Sequence, residues 1–179
     1  MVTKHCGSLP EIQHTFELKK MIILVTGAAG FTGGNLVLDC LACADEPVVS
    51  LDKLPYAGNL QTLTSVHGHS GHIFVQGDVG DRTFVEQLLA QHQSRAVLNF
   101  ATGRHVDRSV SGLGDFIQTN IVGTFSLLES VRGYWAALAQ TSKDAFRFSH
   151  VSTEEAYRTL GKDAPALAKN GYGQYCLIC

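Results

Sequence analysis

The spacing of three glycines predicts a phosphate-binding turn. Residues 26–33 read T-G-A-A-G-F-T-G, which places Gly27, Gly30 and Gly33 after an apolar run and at the start of an amphipathic one. Glycine at the first two positions lets the backbone turn tightly and approach a pyrophosphate, and the third allows a helix to pack closely on a strand. The free N–H groups and the helix dipole would then bind the phosphates. Tight strand-to-helix turns also use glycine for purely steric reasons, so the triplet needs a second feature beside it.

An acidic residue supplies that second feature. Asp52 ends the next apolar run, about 25 residues beyond Gly27, where an acidic side chain accepts hydrogen bonds from both hydroxyls of an adenosine ribose. Because a 2′-phosphate would meet a like charge there, Asp52 favours NAD over NADP, although the adjacent Lys53 weakens this preference. A helix-capping or surface aspartate is the alternative. Asp78, in "QGDVGD", is placed either to contact the adenine amino group or to cap the helix that begins near Arg82.

Two adjacent glutamates form a candidate acid–base pair. Glu154 and Glu155 follow Thr153 directly after the fifth apolar run. An elimination needs two carboxyl groups in different protonation states. A solvated helix start explains most adjacent pairs of this kind, so only their place after a strand favours a catalytic role.

The elements that would position these groups alternate regularly. Apolar runs of strand length are followed by segments with apolar residues at three- and four-residue spacing, as in helices. This alternation gives parallel pairing through right-handed crossovers, which predicts an α/β, Rossmann-type doubly wound sheet of strand order 3-2-1-4-5. Residues 154–179 contain neither a further apolar strand nor a convincing long helix, so the sheet is predicted to end after its fifth strand. The predicted strands are "MIILVT", "EPVVSLD", "HIFVQGD", "RAVLNFAT" and "FRFSHVST", and the predicted helices are "FTGGNLVLDCLACA", "GNLQTLTSV", "DRTFVEQLLAQHQ" and "DFIQTNIVGTFSLLESVRGYWAAL".

Composition and charge restrict the class of protein. The 179 residues, 45% hydrophobic and 17% charged, suit one globular domain with a sizeable core. A net charge of -2 gives no broad attraction to nucleic acid or to an anionic membrane, so neither is an expected partner. No run reaches the roughly 18 apolar residues of a membrane span, and residues 1–20 lack the apolar centre of a signal peptide. We therefore expect a cytoplasmic protein whose five cysteines are free thiols.

Two sets of potential metal ligands are better explained in other ways. Cys40 and Cys43 form a C-x-x-C pair on the amphipathic pattern of the first predicted helix, which indicates buried thiols rather than a zinc site. The tract "HGHSGH", residues 67–72, is typical of a solvated loop. The terminal "CLIC" has the form of a prenylation signal, but cysteine is not among its usual last residues. No metal site is expected.

Six segments carry a resemblance to a known family: "ILVTGAAGF", "VVSLDKLPYAGNL", "FVQGDVGDR", "VLNFATGRHVDRS", "IQTNIVGTFSLLE" and "HVSTEEAY". In this order and spacing the chain resembles the extended short-chain dehydrogenase/reductase family, and within it the dTDP-glucose 4,6-dehydratases. The glycine loop is common to all extended members, whereas "LDKLPYAGNL" and "HVDRS" are more specific to nucleotide-sugar dehydratases. Residues 1–20 show no sustained periodicity and are interpreted as a non-native-like or flexible leader. The resemblance implies an NAD-binding Rossmann domain over 21–157 and a divergent tail over 158–179 in place of the family's catalytic Y-x-x-x-K segment and substrate domain.

The resemblance also implies a lyase reaction on a nucleotide sugar, dTDP-glucose in the family. NAD takes hydride from C4 of the glucose ring, water is eliminated across C5 and C6, and the hydride returns to C6. By family position Thr153 hydrogen-bonds the sugar 4-hydroxyl, Glu154 is the acid toward the leaving 6-hydroxyl and Glu155 is the base at C5. His105 would approach the sugar nucleotide.

The family's cofactor contacts carry over to residues at or after the ends of the first four predicted strands and to one residue of the longest predicted helix. The resemblance implies Phe31 and Thr32 against the pyrophosphate, Asp52 and Lys53 by the adenosine, Asp78 and Val79 by the adenine, Phe100, Ala101 and Thr102 along the nicotinamide half, and Thr119 near its ribose.

The sequence departs from the family at positions that bear on activity. Gly103 and Arg104 replace a carboxylate and a small hydroxyl, Pro55 replaces a threonine in the adenosine loop, and Glu154 replaces an aspartate. No Y-x-x-x-K follows the fifth predicted strand, whereas in the family that tyrosine removes the 4-hydroxyl proton. We therefore expect a truncated, inactive form of a dehydratase. The alternatives are a non-catalytic dinucleotide-binding or interaction module and a frameshifted fragment.

An apolar stripe runs along the longest predicted helix, residues 115–138. It is interpreted as helix core or, as in the family, as a dimer surface, so a homodimer or other self-association through this helix is expected. The stripe consists of Phe116, Ile117, Ile121, Phe125 and Leu128.

Overall fold

The residues that the structure describes fold around one sheet. A computed structural model describes residues 21–44, 46–54, 60–102, 113–153 and 175–178. The first five strands are parallel and lie in the order β3-β2-β1-β4-β5, which confirms the predicted Rossmann-type topology. The strands are β1 Ile23–Thr26, β2 Val48–Asp52, β3 His72–Gln76, β4 Ala96–Asn99 and β5 Arg147–Thr153.

A sixth strand corrects the prediction that the sheet ends with the fifth. Strand β6, Tyr175–Ile178, pairs antiparallel with β5 in a register that places His150 opposite Ile178. The sequence reading missed β6 because a run of four residues is too short for periodicity to separate a strand from a loop. A sheet that ended with the fifth strand would have β5 as its edge, and this expectation is wrong because β6 lies outside β5.

Helices follow the strands as the sequence pattern predicts. The segment predicted as a helix before β3 is a 3₁₀-helix, a π-helical stretch interrupts the long helix after β4, and the short α5 was not predicted. The helical elements are α1 Phe31–Cys43, the 3₁₀-helix Leu60–Val66, α2 Arg82–His92, α3 Leu113–Ile117, the π-helix Gln118–Gly123, α4 Thr124–Ala137 and α5 Gln140–Ala145.

Two hydrophobic clusters cover the two faces of the sheet. Leu24 of β1 belongs to the cluster that includes residues of α2 and α4, whereas its neighbours Ile23 and Val25 belong to the cluster that includes residues of α1 and the 3₁₀-helix. Side chains alternate between the faces of a strand, so β1 is buried along its whole length. Each fully buried aliphatic side chain stabilises the fold by about 1.5–3 kcal/mol. This burial fixes the strand ends on which the site is built.

Candidate functional site

Gly27 forms the turn that leaves β1. Its φ of +66° lies in the left-handed region, and a Cβ there would come within 2.6 Å of the backbone nitrogen of Ala101. The Gly27 N–H donates to the carbonyl of Leu51 at 2.9 Å, which ties the turn to β2. Conformation and space therefore both require glycine, as predicted for a tight phosphate-binding turn.

The first turn of α1 is open to a ligand. Gly30 is the N-cap and makes no side-chain capping bond, and the first turn carries no acidic residue. Phe31 begins the helix with a side chain that is 75% exposed, followed by the half-buried Thr32. A Cβ on Gly33 would lie 2.5 Å from the carbonyl oxygen of Gly27, so only glycine allows α1 to start this close to the turn. Uncapped N–H groups with the positive end of the helix dipole are suited to bind an anion.

Asp52 connects the end of β2 to the glycine turn. The residue is only 9% exposed. Its carboxylate accepts a hydrogen bond from the Ala29 N–H at 2.9 Å and another from the Leu54 N–H at 2.8 Å. Each carboxylate oxygen has two acceptor positions, so one on each remains after these bonds. Asp52 is therefore both a structural anchor of the turn and an acceptor for further donors.

An ion pair joins the ends of β2 and β3. The ammonium of Lys53 lies 2.6 Å from a carboxylate oxygen of Asp78, whose other oxygen accepts from the Gly80 N–H at 2.8 Å. Burial alone would raise the pKa of Asp78, but the hydrogen bonds from Lys53 and Gly80 and the Lys53 charge outweigh it and lower that pKa. Asp78 thus carries a negative charge at the edge of the crevice.

The alternative role of Asp78 as a helix cap is wrong. The N-cap of α2 is Asp81, whose side chain accepts from the Phe84 N–H at 3.1 Å. Next to Asp78, Val79 is 7% exposed and its side chain packs in the core, so a ligand could contact only its backbone.

The end of β4 forms the other wall of the crevice. The Phe100 N–H donates to the carbonyl of Thr26 at 3.1 Å, and the Ala101 N–H donates to the side chain of Asn99 at 3.2 Å. The Thr102 hydroxyl donates to the side-chain oxygen of Asn120, which belongs to the π-helix. The half-buried Thr119 precedes Asn120 in the same π-helix. Three of the predicted nicotinamide-side residues, Phe100, Ala101 and Thr102, therefore lie at the carboxyl end of β4, and Thr119 lies on the helix that Thr102 contacts.

Sequence reasoning missed a polar chain inside the sheet. The buried Thr26 hydroxyl donates to the side-chain oxygen of Asn99, and the Asn99 amide lies 2.9 Å from Nδ1 of His150. Burial lowers the pKa of His150, so the neutral ring accepts from the amide. One signal was available, because Asn99 is a single polar residue inside the apolar run "AVLNFA".

Several predicted site residues have no described side-chain geometry. Thr153 is the last residue of β5, and His105, Glu154 and Glu155 lie outside the described residues. The roles of these four residues stay predictions. The three departures Pro55, Gly103 and Arg104 also lie outside the described ranges.

The potential metal ligands lie apart from the site. Within the described ranges, no three Cys, His, Asp or Glu side chains are grouped as metal ligands would be. Cys40 is partly buried, but Cys43 is exposed, so the expectation that both thiols are buried is wrong for Cys43. Over those same ranges, no helix has the length and apolar character needed to cross a membrane.

Two cavities lie at the amino-terminal ends of the strands, opposite the glycine turn. One of about 300 Å³ is lined by residues that precede β1, β2 and β3, among them Ile22, Pro47 and Gly71. The other, of about 430 Å³, is lined by residues such as Ser94 and Phe146 that precede β4 and β5. In parallel α/β sheets ligands bind at the carboxyl ends of the strands. We therefore assign the site to the open crevice at the glycine turn and not to these cavities.

The fold and the glycine turn define the class of the domain. Neighbouring strands β1 and β4 carry their following helices to opposite faces, so the crevice lies at the topological switch point of a Rossmann-type sheet. The chain belongs to the family of GDP-mannose 4,6 dehydratase, whose model matches residues 24–168.

Individual relatives agree with this assignment and confirm the resemblance to dTDP-glucose 4,6-dehydratases. The dTDP-glucose 4,6-dehydratase of Xanthomonas campestris pv. campestris (strain B100) is 60% identical over 139 residues, which cover 78% of this chain and 39% of that protein. The solved dTDP-glucose 4,6-dehydratase from Bacillus anthracis str. Ames, in complex with NAD, is 32% identical with a TM-score of 0.66, covering 80% of this chain and 41% of that one. DesIV, the same enzyme from Streptomyces venezuelae with NAD and TYD bound, is 39% identical with a TM-score of 0.59, covering 64% and 36%. The chain thus spans about two fifths of the length of the curated relatives it matches.

Proposed function

We propose that this chain binds NAD in the crevice at the carboxyl edge of its sheet. The observation that carries the proposal is the Asp52 carboxylate bonded to the Ala29 N–H, because it holds an acidic acceptor beside the glycine turn. A pyrophosphate would lie at the N-terminus of α1, with Phe31 and Thr32 beside it. The adenosine ribose hydroxyls would donate to the free acceptor positions of Asp52.

The other cofactor contacts follow the strand ends. The adenine amino group would donate to Asp78, while the backbone of Phe100, Ala101 and Thr102 would border the nicotinamide half. Thr119, on the π-helix facing this wall, would lie near the nicotinamide ribose. These assignments are supported by the shared edge of the sheet and by the NAD-bound relatives.

We further propose that the family chemistry of the whole protein is the 4,6-dehydration of a nucleotide sugar. NAD would supply a reversible hydride acceptor. Thr153 would orient the sugar 4-hydroxyl, Glu154 would protonate the leaving 6-hydroxyl and Glu155 would remove the C5 proton, with His105 near the sugar nucleotide. The two glutamates then need opposite protonation states at the start of the elimination.

The 179-residue chain is proposed to bind the cofactor without turnover. None of the tyrosines that follow β5 in the sequence, Tyr157, Tyr172 and Tyr175, has lysine four residues later. The base that would take the 4-hydroxyl proton is therefore missing from this sequence. Incubation with NAD and dTDP-glucose should give no 4-keto-6-deoxy product, and product whose formation Glu155→Gln abolishes would contradict this statement.

Titration calorimetry tests the cofactor assignment. The chain should bind NAD more tightly than NADP, and Asp52→Ala should weaken NAD binding by about tenfold or more because a buried charge-assisted acceptor is lost. Asp39→Ala, which removes an exposed aspartate of α1, is the matched control and should leave NAD affinity unchanged. Equal affinity for NAD and NADP, unaltered by Asp52→Ala, would refute the ribose assignment.

A further inference from the structure

The ion pair of Lys53 with Asp78 lies beside the position proposed for the adenosine ribose, whose 2′ substituent distinguishes NADP from NAD. Lys53 directly follows Asp52, so its backbone lies at the acceptor proposed for the ribose hydroxyls. A 2′-phosphate is the group that distinguishes NADP from NAD, and a basic side chain near this position is how dinucleotide-binding domains accommodate it. In this structure the ammonium of Lys53 is instead held 2.6 Å from the Asp78 carboxylate.

Asp78 is itself fixed for this contact. One oxygen accepts from the Gly80 N–H at 2.8 Å, which leaves the other oxygen directed at Lys53. Both side chains remain substantially exposed, 61% for Lys53 and 43% for Asp78, so the pair borders the open crevice and is not part of the core. An exposed pair of this kind contributes little to folding stability, and its charges are accessible to a ligand.

We propose that Asp78 determines the preference for NAD by acting as the counter-ion of Lys53. While Asp78 neutralises the ammonium, a 2′-phosphate would meet the charge of Asp52 without a compensating cation. Removal of the Asp78 charge releases Lys53 to pair with the phosphate. This inference rests on the proposed function, because it requires the ribose to lie at Asp52.

The ratio of two affinities isolates this effect. NAD and NADP share the same adenine, so any loss of an adenine contact at position 78 weakens both ligands and cancels in the ratio of their dissociation constants. Asp78→Asn retains an acceptor for the Gly80 N–H and removes the charge. The dissociation constant for NADP relative to NAD should then fall about threefold to tenfold, the range expected for one charge pair at a partly exposed site.

Two further variants identify Lys53 as the group responsible. In the Asp78→Asn background, Lys53→Met should restore the ratio of the unaltered chain. Lys53→Met alone should change the ratio by less than about twofold, because the charge it removes is already paired. Glu86→Gln is the matched control, since it removes the carboxylate of another exposed ion pair, that with Arg82 on α2.

The experiment is titration calorimetry of the 179-residue chain with NAD and with NADP, at about 50 and 300 mM salt. The gain in NADP affinity should shrink at the higher salt because an exposed charge pair is screened. An unchanged ratio in Asp78→Asn with NAD binding intact overturns the inference, and so does a shifted ratio that persists after Lys53→Met. If Asp78→Asn does not fold, a severalfold loss of NADP affinity in Lys53→Met alone overturns it instead. If the unaltered chain binds neither dinucleotide, the proposed function fails and this inference fails with it.

Discussion

The backbone N–H of Ala29 donates to the carboxylate of Asp52 at 2.9 Å, across 23 positions of the sequence. This bond joins the glycine turn after β1 to the end of β2. The turn is thus held by the side chain that we propose as the acceptor for a ribose, so the proposed phosphate-binding and sugar-binding parts of the site are joined directly.

Substitution of Gly27 should destabilise the fold. Gly27→Ala adds a Cβ at a φ of +66° and within 2.6 Å of the backbone of Ala101, so the turn must move. The expected loss in the free energy of unfolding is about 2 kcal/mol or more, measured by urea denaturation. Gly114→Ala, at a helical position with no atom near its added Cβ, is the control and should be neutral or slightly stabilising.

Loss of Asn99 should cost more than its size suggests. Asn99→Leu keeps a similar volume but leaves the Thr26 hydroxyl and the Ala101 N–H without their acceptor in the sheet. The free energy of unfolding should fall by about 2–4 kcal/mol. Asn35→Leu, on the exposed face of α1, should change it by no more than about 0.5 kcal/mol. Equal effects of the two variants would show that the Asn99 chain does not stabilise the sheet.

Stability should fall as the pH drops below about 6.5. Burial lowers the pKa of His150 in the folded state, so the unfolded chain binds its proton at a higher pH. The stabilisation is therefore present above the unfolded pKa and is lost as the pH falls through the folded one. His72, whose pKa is also lowered by burial, changes the stability in the same direction.

Urea denaturation at pH 7.5, 6.5 and 5.5 measures this dependence. His150→Gln should flatten the slope in part and leave the His72 contribution. A slope that His150→Gln does not alter would mean that His150 titrates alike in the folded and unfolded chains.

The apolar stripe on the long helix should drive self-association. All five of its residues are exposed, with Phe125 at 64%, so the alternative that they form helix core is wrong. Contiguous exposed apolar surface of this kind is typical of an interface. Sedimentation velocity at tens of micromolar should detect a dimer or larger species.

Phe125→Glu should shift that equilibrium toward monomer. Ile73→Glu, which alters an exposed apolar residue of β3, should not. A monomer at all concentrations, with no binding of a hydrophobic dye, would count against the stripe as an association surface.

Local sequence patterns predicted most of the parallel sheet. Strand β2 could be read from "PVVSLD" because strands buried on both faces are continuous apolar runs, and the order followed from parallel crossovers. Gly27 and Asp52 could be identified because Gly27 directly follows the first predicted strand and Asp52 ends the second. These inferences depend on residues close together in the chain.

Contacts between distant segments could not be predicted in this way. The pairing of Lys53 with Asp78 joins the ends of two different strands, and the position of neither residue in the sequence specifies the other as its partner. Strand β6 pairs residue 178 with residue 150, and no local pattern specifies that partner. Asp78 and Asp81 both precede α2, and only the backbone geometry shows that Asp81 is its N-cap.

Strand β6 changes which amides the solvent can reach. β4 pairs with residues 147–150 of β5 and β6 pairs with residues 150–153, so His150 has a partner strand on both of its edges and residues 151–153 have β6 as their partner. Amide hydrogens of interior strands exchange only through larger openings of a sheet, whereas those of an edge strand exchange by local fraying. Hydrogen exchange at residues 151–153 would therefore follow the local opening of the four-residue strand β6, whereas residues 147–149 are paired with β4 inside the sheet. The proposed catalytic segment would thus follow a stretch of β5 whose amides are protected by β6 alone.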